Sequence, residues 1–89
     1  MMEKDLKNKI IEEVKMLEYF DDGVGINIGN NKGLFIQVVG YEEKEYLIEL
    51  NDIDDNDVYE PCARYNAFSK FGDMENLIIT IENYLEDVL

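Results

Sequence analysis

The sequence predicts a two-layer α+β domain: a helix, a three-stranded antiparallel meander with room for a fourth edge strand, and a closing helix. Three observations carry this expectation. Apolar residues recur at helical spacing at both ends of the chain. Between them they alternate at strand spacing. The connections between the alternating runs are short, as in a meander. The chain has 89 residues, enough for one domain covering 1–89.

The elements follow in order. Over residues 3–20, Leu6, Ile10, Val14, Leu17 and Phe20 lie on one helical stripe. Asp21–Gly23 should stop this helix, with Gly23 in the left-handed cap position. Residues 24–29 alternate, with Val24, Ile26 and Ile28 on one face. Gly29–Gly33 reads as a turn and Leu34–Gly40 as a central strand. Glu42–Lys44 is the next turn, and Glu45–Leu50 the third strand. For Val58–Phe71 two readings stand: an edge strand near Pro61–Tyr65, or a short helix opened by Pro61. Asp73 is an N-cap for the final helix, whose stripe is Met74, Leu77, Ile78, Ile81, Leu85 and Val88. Both helices are expected on one face of the sheet, leaving Val39 and Leu47 on the other.

Charge narrows the function more than any motif does. With 21 acidic and 8 basic residues, the formal net charge is −13. Such a chain does not bind nucleic acid directly, because phosphate demands a basic surface. An anionic membrane surface is disfavoured for the same reason. The opening MMEKDLKNK is followed by no apolar run, so no secretory signal is read there. The single cysteine cannot form an internal disulfide, and a cytoplasmic location is expected.

Chemistry is poorly supplied. Histidine is absent, so Ser69, Thr80 and Cys62 have no histidine partner for nucleophilic catalysis, and a Cys/His zinc site cannot be assembled. A reactive Cys62 would lean on Arg64 alone. An EF-hand begun at Asp52 supplies Asp52, Asp54 and Asn56. It then places Asp57 where glycine is needed and Ala63 where a bidentate glutamate is needed. GVGINIG (Gly23–Gly29) has Ile28 in place of the third glycine of a dinucleotide loop, and it opens a strand instead of a helix. No enzyme activity, cofactor or metal is expected.

Two segments concentrate the acids. Residues 51–60 (NDIDDNDVYE) contribute −5 through Asp52, Asp54, Asp55, Asp57 and Glu60, and residues 73–89 contribute another −5. On the last helix Glu75, Glu82 and Glu86 fall within about 40° of one another, at axial steps of about 10 and 6 Å. Tyr59 sits among the first group, and an aromatic inside a charged rim is typical of interface centres.

In size, charge and order of elements the chain resembles the small phage-encoded inhibitors that mimic DNA, some anti-CRISPR proteins among them. Small immunity proteins that neutralise basic toxins share the profile. The resemblance implies that acidic residues block the basic surface of a nuclease-type partner. The leading expectation is therefore a non-enzymatic inhibitor or regulator with a basic, nucleic-acid-handling protein partner. Asp52, Asp54, Asp55, Asp57, Tyr59, Glu60, Glu75, Glu82 and Glu86 would form its contact surface. The alternative is a small assembly module that forms a homodimer through Val39 and Leu47.

Overall fold

Helix α1 spans Lys4–Val14 in the computed structural model, which describes residues 2–62 and 65–88. It ends six residues earlier than its stripe suggested. Leu17 still reaches the core, but through a turn in which its amide donates to the Val14 carbonyl. Two local bonds end the helix. A carboxylate oxygen of Asp22 accepts from the amides of Glu18 (3.1 Å) and Tyr19 (2.9 Å). The Asp21 amide then donates to Val38 O, and the Val38 amide to Asp22 O, so the second strand captures the chain early. Asp21 takes the positive φ of 71°, not Gly23, which opens the first strand. Phe20 leaves the stripe and stacks on Tyr41 at 4.2 Å.

Strands β1 (Gly23–Gly29), β2 (Lys32–Val39) and β3 (Glu45–Ile53) form the expected antiparallel meander. Asn30 and Asn31, with φ of 57° and 60°, make the tight β1–β2 turn. β2 and β3 pair from Lys32↔Asp52 to Val39↔Glu45. β3 therefore runs three residues into the acidic segment, which is a hairpin rather than a loop.

The free edge of β3 holds two short strands at its two ends. β4 (Tyr59–Pro61) pairs with Asn51–Ile53, and β5 (Ala67–Lys70) with Glu45–Ile48. The 58–71 stretch thus supplies two edge strands, the first of which takes in Pro61 and begins two residues before it. Pro61 ends a strand and opens no helix. Residues 63 and 64 of that stretch lie outside the described residues. Between β4 and β5 a gap faces Leu50. The Tyr84 hydroxyl accepts from the Leu50 amide (3.3 Å), and the Cys62 amide donates to its carbonyl (3.0 Å). Both groups are satisfied, as a buried backbone requires.

Helix α2 spans Met74–Val88. Asp73 is its N-cap, its Oδ1 accepting from the Asn76 amide at 2.9 Å. Both helices cover one face of the sheet. Ile10, Val14, Leu77, Ile78 and Ile81 pack there against Ile26, Leu34, Ile36, Val38, Tyr46, Ile48 and Leu50. Each such aliphatic side chain contributes about 1.5–3 kcal/mol.

Among the described residues no helix covers the opposite face. By alternation it carries Phe35, Val39, Leu47, Ile53, Tyr59 and Phe68, with Val39 and Leu47 where the sequence placed them. Glycines shape this face. A Cβ on Gly25 would meet the Tyr59 ring at 3.0 Å, and one on Gly23 the Phe35 ring at 2.7 Å. Gly33 lies directly beneath Tyr59, against Ile53. β4 and β1 are three strand spacings apart, about 14 Å in a flat sheet. A single tyrosine on β4 touches Gly25 on β1 because the sheet curls towards its open face here. Gly23 and Gly25 of GVGINIG are thus a floor for aromatic rings. Ile53, on the face away from the helices, is 8% exposed, and Tyr59 is half-buried.

Candidate protein-binding surfaces

The first acidic group is the β3–β4 hairpin. Strand alternation divides it. Asp52 and Glu60 are a cross-strand pair on the helix side, while Ile53 and Tyr59 pair on the open face. Asp52 is ion-paired with Lys32, which also approaches the Cys62 sulfur at 3.9 Å. The Lys32 bond, and secondarily one with Cys62, holds the Asp52 carboxyl below its ordinary range. The cation beside Cys62 is thus Lys32; Arg64 lies outside the described residues.

Asp54 builds the turn. Its Oδ1 accepts from the amides of Asn56 (2.8 Å) and Val58 (3.0 Å), and its own amide donates to Val58 O. Asp57 takes φ of 59°, so it adopts the left-handed conformation that the sequence reading reserved for glycine. That objection to a calcium loop therefore falls. A different one replaces it, because Asp54 is already committed to two backbone donors. Among the described residues no three His, Cys, Asp or Glu side chains are grouped to hold a metal ion. Asp55, Asp57 and Glu60 are exposed, and no ion pair engages them among the described residues.

The second acidic group runs along α2. Glu75 and Glu82 border a cleft that both helices line, together with Lys7, Ile11, Ile78 and Ile79. Glu82 and Glu86 border a second cleft with Met2, Glu3, Leu6, Ile28 and Leu85. All three α2 acids therefore face α1, as their common helical angle requires.

The two groups do not merge into one row. Asn76 donates to Ser69 Oγ at 3.1 Å, and Ser69 pairs with Tyr46, which fixes the level of Glu75 in the sheet. Asp52 lies six residues further along β3, about 20 Å away. Glu86 shares the hairpin's end of the molecule, but its cleft includes Ile28 of β1, whereas the hairpin borders the opposite edge.

The hydroxyls have structural roles: Ser69 is buried and accepts from Asn76, and Thr80 donates to Asn76 O at 2.8 Å. A cleft of about 610 Å³ at the far end is lined by Glu42, Glu43, Glu45, Lys44 and Lys70 beside Phe68 and Phe71. Phe71 packs on Tyr46 at 5.1 Å, whereas Phe68 is 55% exposed on the open face. Their opposite fates follow from which side of β5 and its following turn they occupy. Among the described residues no helix is long and apolar enough to cross a membrane.

Comparison with protein-family models, with curated proteins and with solved structures returned no match.

Proposed function

We propose that the chain is a non-enzymatic, cytoplasmic binding protein that inhibits or regulates a basic, nucleic-acid-handling protein. The observation that carries this is uncompensated surface charge. The molecule bears −13, and among the described residues Asp55, Asp57, Glu60, Glu75, Glu82 and Glu86 have no ion pair. A surface of this kind steers basic partners towards itself and disfavours acidic ones. Because the two acidic groups are separate, imitation of one continuous phosphate strand is the weaker form of the proposal. Two acidic contact regions on one small body are the stronger form. Asp52 and Asp54 are largely committed inside the hairpin, which leaves Asp55, Asp57 and Glu60 as its outward charges.

The test is capture of basic nucleic-acid-binding proteins in nuclease-treated lysate, followed by salt elution and competition with duplex DNA. The expected result is a captured partner released by rising salt and displaced by DNA. Retention that is unchanged when Asp55, Asp57 and Glu60 become Asn, Asn and Gln, and Glu75, Glu82 and Glu86 become Gln, refutes the proposal.

A second reading has one specific observation behind it. The helix-free face carries Leu47 paired with Phe68, the latter 55% exposed, with Val39 on the same face. A homodimer through this face would sediment at twice the monomer mass and revert to monomer on Leu47→Lys substitution.

A further inference from the structure

We infer that the groove between α1 and α2 is a docking site for a basic amphipathic helix of a partner protein. The inference rests on the reading of the chain as an acidic binding protein, and it names the surface and the partner's chemistry. Two clefts, of about 440 and 420 Å³, lie end to end between the helices and share Glu82. Their floor is apolar: Leu6 and Ile11 from α1, Ile78 and Leu85 from α2. Ile79, on the wall of the 420 Å³ cleft, is 50% exposed. The α2 wall carries Glu75, Glu82 and Glu86. From first to last they span eleven residues, about 16 Å, or three turns of a docked helix.

An apolar floor beside a row of carboxylates is the complement of a helix with a leucine-type stripe flanked by Lys or Arg. Other occupants match poorly. Nucleic acid and anionic lipid would be repelled by the wall. In a two-fold pairing of copies with the wall on the axis, it would meet its own image, setting carboxylate against carboxylate. Glu3 strengthens the acidic rim at the α1 start, while Lys7 borders the other cleft, so the partner's cations belong at the Glu82–Glu86 end. The last turn of α2 has no basic residue but carries Glu86 and Asp87, against the negative end of the helix dipole, so nothing within the helix offsets the charge at that end of the wall.

The test is NMR titration of the whole chain with a synthetic amphipathic peptide of about twelve residues, leucines at helical spacing and lysines beside them. Controls are a scrambled peptide of the same composition and an oligolysine of equal charge. The expected result is amide shifts centred on Leu6, Ile11, Ile79 and Leu85. The amphipathic peptide should bind at least about tenfold more tightly than either control, and lose about tenfold with Glu82→Gln plus Glu86→Gln. Replacing Asp55 and Asp57 with Asn should leave that affinity unchanged. Equal binding of all basic peptides, or shifts confined to the 51–60 hairpin, overturns the groove while leaving an acidic binding protein standing. Absence of binding by any basic peptide overturns both.

Discussion

At Gly33 the absence of a side chain decides the shape of a whole face. Tyr59 rests on this residue, and Ile53 is packed beside it. Gly33→Ala should cost about 1–3 kcal/mol, the usual penalty of overpacking. In the Tyr59→Ala background most of that cost should vanish. Urea unfolding of the two single variants and the double variant measures this coupling; simple additivity would show that the ring does not lie there. Tyr84 makes an equally local prediction. Tyr84→Phe keeps the volume but strands the Leu50 amide in the gap between β4 and β5. The expected loss is about 1–3 kcal/mol, read from the denaturation midpoint. Asp22 sets a pH dependence. The amides of Tyr19 and then Glu18 favour its carboxylate, so its folded pKa lies below the unfolded one. Its stabilisation is therefore complete above the unfolded value of about 3.9 and is lost as pH falls through the folded value. Asp22→Asn should be less stable than the parent near neutrality. The two stability curves should converge in strong acid; parallel curves would exclude this role.

At the scale of elements, helix periodicity was legible in the sequence and the end of α1 was not. The α1 stripe continues through Leu17 and Phe20, yet the helix ends at Val14, because Asp22 and the edge of β2 offer the chain better partners. α2 was read more closely, since Asp73 is a local cap that needs no tertiary partner. Its far end is electrostatically unfavourable. Glu86→Lys should raise stability by about 0.3–1 kcal/mol at low salt. Thermal melting checks this, and the same substitution, a two-unit change of charge like the Glu82→Gln and Glu86→Gln pair, should weaken docking in the groove by about tenfold, separating stability from binding. The acidic hairpin was seen as a charge cluster, but its division was not. Period-two alternation sends Asp52 and Glu60 to one side and Tyr59 to the other once Asn51–Ile53 joins β3.

On the scale of the whole molecule, −13 sits on a body whose radius of gyration is 12.3 Å. The screening length is about 10 Å at 0.1 M salt, so most pairs of surface carboxylates feel one another only in dilute buffer. Melting temperature should therefore rise with added NaCl, opposite to a fold held by surface ion pairs. The two acidic groups act as separate regions for the same geometric reason: one borders the outer edge of β3, the other faces α1.

The sequence by itself determined the two-layer α+β class, the meander, both amphipathic stripes, the cap at Asp73 and the concentration of acid in two segments. These are one-dimensional properties, carried by periodicity, composition and neighbouring residues. Only the tertiary structure decided that two strands share the free edge of β3, that alternate glycines seat aromatic rings, and that Glu75, Glu82 and Glu86 wall a groove instead of extending the hairpin's charge. Each depends on residues far apart in the chain meeting across strands or between helices, and pairings of that kind leave no periodic trace in a single sequence.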